Sequence, residues 1–256
     1  MRLIDLSSPI DTNQWEPEDI SHTILTPAEG ARHMRDEMRR HFDLDFTPEL
    51  LPDGELLSID TLTLTTHTGT HVDAPAHYGS RGPTGAPMTI DEVPLHWFYA
   101  AAVRLDLRHC PVGTVDAAEL RAEFHRIGYR PSALDMVLLH TGAADLNGTP
   151  KYFTDFTGLD GSAVELLLDL GVRVIGTDAF SLDAPFTWMI REYQRTGRRD
   201  LLWPAHFAGR RRPYCQIERL TNLESLPAPH GFRVSAFPVK IARAGAGWAR
   251  VVAIIE

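Results

Sequence analysis

The segment His67-Thr68-Gly69-Thr70-His71-Val72-Asp73-Ala74-Pro75-Ala76-His77 carries three imidazoles and a carboxylate spaced as H-x3-H-x-D-x3-H. All four side chains are of the type that binds divalent transition metals. Imidazole nitrogen and carboxylate oxygen are usual ligands of zinc and also suit manganese. The residues between them are small or restricted. Gly69 permits a sharp backbone approach, and Pro75 fixes its own φ and pushes Ala74 toward an extended conformation. The spacing predicts a rigid loop that presents ligands to one point. Neutral imidazoles, a carboxylate and an open coordination position lower the pKa of a coordinated water from ~16 toward ~7 and polarise a carbonyl oxygen. Such parts hydrolyse an amide, lactam, ester or lactone, and with an internal nucleophile they can close a ring.

These residues must be positioned by the elements around them. Leu56 to Thr65, rich in Leu, Ile and Thr, reads as a strand that leads directly into the motif. Leu3 to Leu6 reads as a short buried strand, Ser7-Ser8-Pro9 as a turn, and residues 10 to 26 as loop. Pro27 to Phe42 reads as a helix, with proline in its first turn and Ala28, Ala31, Met34, Met38 and Phe42 near one face. Downstream of the motif, Gly79 to Pro87 reads as loop and Met88 to Pro94 as a link. Strands are expected at Tyr99 to Leu107, Asp135 to His140, Val172 to Asp178, Phe237 to Ala242 and Trp248 to Ile255. Helices are expected at Val115 to Ile127 and at Asp160 to Leu170, the second ended by Gly171. Strands and helices spread along the whole chain predict a mixed α/β class. No repeat and no linker interrupts residues 1–256, which predicts a single domain.

Composition narrows the function classes. The 256 residues are 43% apolar and 23% charged, as in an ordinary globular protein. A formal net charge of −9 argues against a nucleic-acid partner, which would want a basic patch. The one basic run, Arg210-Arg211-Arg212, reads as a solvated loop, with an anion-facing rim as the other reading. Cys110 and Cys215 are two isolated cysteines, expected to be free. The amino terminus lacks a secretory pattern. No run approaches the ~18 apolar residues of a membrane span. A cytoplasmic protein without membrane contact is expected.

Later in the chain stand His206 and Glu218, a pair that on its own is weak evidence of a site. Together with the motif they carry a resemblance. The segment from His67 to His77 matches the H-x-G-T-H-x-D-x-P-x-H signature of the cyclase family of metal-dependent hydrolases, which includes bacterial kynurenine formamidases and isatin hydrolases. The opening Ile4-Asp5-Leu6-Ser7, the unit Gly171 to Asp178, the loop with Ser181 and Asp183-Ala184-Pro185, and Phe237-Pro238-Val239-Lys240 resemble further parts of that family.

The resemblance implies an α/β fold whose mixed sheet curls into a partly closed barrel with helices outside. It implies that His67, His71 and Asp73 hold one zinc or manganese ion, and that in two-metal members Asp73 bridges to a second held by His206 and Glu218. His77 is implied as the proton-transferring group or a further ligand; an ordinary pKa of ~6.5 suits an imidazole to that role. A homodimer or larger homo-oligomer is implied, acting on a small-molecule substrate. Residues 11–55, with Trp15, His22, His33 and Phe42, and residues 186–212, with Trp188, Tyr193 and Trp203, look like insertions that could cover the pocket. Hydrolysis of a cyclic or aryl amide, lactam or lactone is the leading expectation. A cyclase or lyase acting on a polyketide-like or sugar-derived intermediate is the alternative, and a non-catalytic binding protein is a third. Asp178, Ser181 and Asp183 read equally well as pocket groups or as a local turn. Trp188 and Trp203 read as packing, with substrate contact as the other reading.

Overall fold

Residues 1–256 are described by a computed structural model. In chain order its strands are β1 (Arg2–Asp5), β2 (Ser21–Leu25), β3 (Ile59–Thr63), β4 (His71–Asp73), β5 (Tyr99–Asp106), β6 (Gly113–Val115), β7 (Met136–His140), β8 (Thr157–Leu159), β9 (Val174–Thr177), β10 (Cys215–Glu218), β11 (Phe232–Ser235), β12 (Ala246–Trp248) and β13 (Val252–Ile255). Its helices are α1 (Pro27–Phe42), α2 (Pro75–Tyr78), α3 (Ala117–Arg126), α4 (Gly161–Asp169), α5 (Phe186–Thr196) and α6 (Pro204–Arg211). The chain forms two compact units, one of residues 1–17 with 66–256 and one of residues 18–65.

In the larger unit nine strands pair in the order β1-β13-β11-β5-β7-β9-β10-β4-β12. The central strands β5, β7, β9 and β10 run parallel, and the flanking pairs are antiparallel. The sheet curls through 263° into a half-barrel with helices around it, the α/β class expected. Strand β7 shows why. All five of its residues are buried, as in a parallel strand covered on both faces. Met136 and Leu138 point into a core shared with Ile4, Val72, Val174, Ile217 and Val234, which are residues of the sheet itself. Val137 and Leu139 point the other way, to a core built with Leu120, Phe124, Val164, Leu167 and Ala208 from α3, α4 and α6. Helices α3 and α4 start at aspartate caps: Asp116 accepts from the Ala118 and Glu119 amides, and Asp160 from the Ala163 amide.

The smaller unit contains the expected helix over Pro27–Phe42, started by a capping box between Thr26 and Glu29. It also contains the antiparallel pair β2 and β3, joined over five residue pairs from Ser21–Thr63 to Leu25–Ile59. Strand β2 lies within the stretch read as loop, where polar residues hid a strand that is exposed nearly throughout.

Three further expectations are corrected. Phe237 to Ala242 is no strand: Pro238 makes one isolated bridge to Ala249 and cannot donate to a ladder. The ladder strand is instead β11, with Phe232 and Val234 turned inward. Trp248 to Ile255 splits into β12 and β13 around Ala249-Arg250-Val251. The motif is only partly a loop, because His71 to Asp73 form a sheet strand and His77 lies on α2.

Close packing fixes the loop after β9. A Cβ on Gly158 would fall 2.3 Å from the Asp183 carbonyl carbon and 2.4 Å from the Ala184 nitrogen. Gly158→Ala is therefore expected to destabilise the protein by roughly 2–3 kcal/mol, the scale of overpacking. A denaturant midpoint equal to that of the parent would refute the claim.

Candidate metal centre

Two residues on one strand share a face when they are two apart, so His71 and Asp73 of β4 point the same way. Strand β10 pairs antiparallel with β4 and sets Glu218 opposite His71. Directly opposed side chains are neighbours on one face. Three acid–base groups thus hang from two paired strands. His67 arrives from the turn before β4, where Gly69 has φ 69° and fits against the Ile10 side chain. His77 sits on α2, begun by Pro75. His206 sits on α6, which packs on α2 and α4.

The six residues singled out in the sequence come together around the Asp73 carboxylate. His67 Nδ1 lies 3.0 Å and His71 Nε2 3.4 Å from Asp73 Oδ1, and the two nitrogens are 3.2 Å apart. On the other oxygen, Oδ2, His77 Nε2 stands at 3.8 Å and His206 Nε2 at 3.9 Å. Glu218 Oε2 is 3.6 Å from His71 Nε2, while its Oε1 accepts from the Leu182 amide at 3.0 Å. Asp73 is fully buried, and its two carboxylate oxygens face imidazole nitrogens, with no hydrogen bond of regular geometry to either. Buried carboxylates are paired or bind metals. Ligands bound tetrahedrally at about 2.0–2.1 Å stand about 3.3 Å from one another. The triangle of His67, His71 and Asp73 atoms has edges of that size. The donor set fits a divalent metal ion.

The buried carboxylates and imidazoles shift one another. Burial alone would lower the His71 pKa, but Asp73 and Glu218 hold it above the ordinary histidine value. Burial would raise Asp73, and the surrounding imidazoles pull it well below the carboxylate range. Burial and the neighbouring Asp73 push Glu218 up. Burial, together with crowding by His67, His206 and His71, lowers His77 to about 4 despite the pull of Asp73. His77 is thus neutral at pH 7. His206 is raised to about 9: burial opposes the shift, and the hydrogen bond from its Nδ1 to Asp183 Oδ2 outweighs it.

That last bond identifies a residue that sequence reading left undecided. Asp183 is fully buried and also accepts from the Ala205 and His206 amides. It fixes the ring of His206 with Nε2 toward Asp73, as second carboxylates commonly do for metal-binding histidines. Asp178, by contrast, staples a turn, accepting from the Thr141 amide and hydroxyl and the Gly142 amide. Ser181 is buried and its hydroxyl has no partner.

The basic run departs from the solvated-loop reading. Arg210 and Arg211 end α6, Arg211 pairs with Glu165, and Arg212 pairs with Glu165 and Asp169. Arg210 Nε donates to the Tyr78 carbonyl, tying α6 to α2. Both cysteines are free, as expected.

A chain of aromatic rings joins segments that adjoin the site residues in sequence. Trp15 meets Phe153 at 6.4 Å between centroids, Phe153 meets Phe180 at 4.6 Å and Phe186 at 5.5 Å, and Phe186 meets Trp203 at 5.4 Å. Trp203 immediately precedes α6, and Phe180 lies in the loop that carries Asp183. Trp188 packs against Gly113. No local pattern signals the phenylalanines, which come from three separate segments.

Residues 4–184 match the model of the Cyclase family. The kynurenine formamidase of Salinibacter ruber is 28% identical over 200 residues, covering 78% of this chain and 81% of the relative. That of Maricaulis maris is 29% identical over 202 residues, covering 77% and 80%. Among solved structures, an isatin hydrolase bound to the product analogue thioisatinate superposes with TM-score 0.75 at 20% identity, covering 99% of this chain and 92% of that one. Isatin hydrolase A from Ralstonia solanacearum superposes with TM-score 0.72 at 23% identity, covering 100% and 92%.

Asp183→Asn, which keeps the size but weakens the acceptor, is expected to lower affinity for an ion at His206 by 10- to 100-fold. Metal titration followed by calorimetry checks this, and an unchanged isotherm would exclude the orienting role.

Proposed function

The chain belongs to the Cyclase family, and from that membership we propose a metal-dependent enzyme that hydrolyses the C–N bond of an aryl or cyclic amide. The observation that carries this reading is the fully buried Asp73 carboxylate, ringed by imidazole nitrogens. His67, His71 and Asp73 are proposed to hold one zinc or manganese ion. Asp73, His206 and Glu218 would complete a second place. When bound, such an ion supplies Lewis acidity toward a carbonyl and a water activated near neutral pH.

The rest is the work of the side chains. His77, neutral and partly exposed, takes a proton from the attacking water and returns it to the leaving nitrogen. Asp183 holds His206 in one orientation. The rings of Phe153, Phe180, Phe186 and Trp203 offer an apolar face to an aryl group. Of the two expected insertions, residues 186–212 contribute α5 and α6 and hence Phe186, Trp203 and His206. Residues 11–17 contribute Trp15, and the remainder of 11–55 lies in the smaller unit. The ring-closing alternative is not favoured, because relatives aligned over 81% and 80% of their own length are named for amide hydrolysis.

The partner is a small molecule, and self-association is part of the proposal. In the smaller unit Ile24, Ile59 and Leu62 are exposed on a two-stranded sheet, and isolated two-stranded sheets are marginal in water. A homodimer would cover them. No helix is long and apolar enough to cross a membrane. The free cysteines are consistent with a cytoplasmic location.

Turnover of N-formylkynurenine, isatin and simple lactones, with and without chelator, tests the function. Hydrolysis adds one water to the product mass, and chelation should abolish it. His71→Ala should remove metal and activity together. His77→Ala should keep at least one ion while lowering turnover by roughly 100-fold or more, the scale of a lost proton-transfer group. Elemental analysis beside steady-state rates separates the two variants, and full turnover in the His77 variant would refute its role.

A further inference from the structure

One buried ion pair beside the centre takes no part in ligand binding. Arg219 follows Glu218, is 3% exposed, and adopts φ 64°, a left-handed conformation that costs a branched or long side chain energy. Its backbone is held on both sides. The amide donates to the Ala179 carbonyl at 3.0 Å, and its carbonyl accepts from the Thr70 hydroxyl at 2.6 Å and the Ser8 hydroxyl at 3.3 Å. The guanidinium reaches Glu16 with both terminal nitrogens, Nη1 to Oε2 at 2.9 Å and Nη2 to Oε1. Nη1 also donates to the His67 carbonyl at 3.4 Å. The same guanidinium lies 5.6 Å from the Tyr152 ring centre and 5.5 Å from that of Phe180.

Glu16 adjoins Trp15, whose amide donates to the Gly148 carbonyl at 3.3 Å and whose ring meets Phe153. One side chain therefore links the segment with Trp15, the turn that carries His67, and the ring of Phe180. We infer that Arg219 is a positioning residue which, through Glu16, holds Trp15 and the aromatic rings in register with His67 and so sets selectivity for aryl over alkyl amides. The inference rests on the amide-hydrolase reading. A fork-shaped donor is well matched to such positioning. A bidentate pair fixes direction as well as distance, and a buried one is unforgiving when a partner is lost.

The test uses the metal-loaded protein and Glu16→Gln, which removes charge from the partner that is remote from the ligands. With an aryl formamide the KM should rise roughly tenfold while kcat changes by less than about threefold, the pattern of lost binding common to ground and transition states. A matched alkyl formamide should show little change, so the aryl preference falls. Metal per chain should stay that of the parent, and Glu16→Asp should recover most of the preference. Hydrogen exchange should quicken at residues 10–17 and stay unchanged at 71–73. An unchanged aryl preference, equal losses on both substrates, or loss of metal would overturn the inference. Should the parent hydrolyse no aryl amide, the functional reading and the selectivity fail together, and exchange decides the positioning alone: faster rates at 10–17 uphold it and unchanged rates overturn it.

Discussion

A buried carboxylate is costly inside a protein unless it is paired or bound, and the Asp73 carboxylate sits at the junction of the elements that carry the four imidazoles. Its strand lies between β10 and β12, so its backbone is bonded on both sides. Its side chain faces the groups from the preceding turn, from α2, from α6 and from β10. Each of these elements arrives by a different route: a parallel crossover brings β10, an aspartate orients the histidine of α6, and a short proline-started helix carries His77. Assembly of the half-barrel brings four imidazoles around one negative charge. A cation is the simplest entity that satisfies all of them.

The residues around the ligands divide the labour. Asp183 and the Leu182 amide restrain the second carboxylate and its histidine. Tyr78 and Arg210 fasten α6 to α2. Burial and like-charge crowding keep His77 uncharged. Orientation, attachment and charge state are thus set by separate residues, so they can be perturbed separately.

Much of the site was readable in the sequence because its ligands are local. His67, His71, Asp73 and His77 fall within eleven residues, and their types and spacing name a chemistry before any fold is known. His206 and Glu218 gained meaning only through family resemblance, since only the pairing of β10 with β4 and the packing of α6 on α2 bring them near. Asp183 was ambiguous for the same reason: an aspartate before Ala-Pro is also a good turn residue. Trp15 and Trp203 were candidates, but the phenylalanines between them and the Glu16–Arg219 pair were invisible, because they lack a motif or join segments more than a hundred residues apart. In the fold, strands with apolar middles and helices with clear caps were legible. The exposed β2 and the exchange of Phe237–Ala242 for Phe232–Ser235 were not, because neither is decided by local hydrophobicity.

The six groups differ widely in how deep they lie. The side chains of His71 and Asp73 are 1% and 0% exposed, Glu218 and His206 are 8% and 12%, and His67 and His77 are 36% and 34%. The deep groups belong to paired strands or a packed helix, while the outer two belong to the turn before β4 and to the short helix α2. An ion held as proposed would have a floor of backbone-paired groups beneath it and two imidazoles on its outer side.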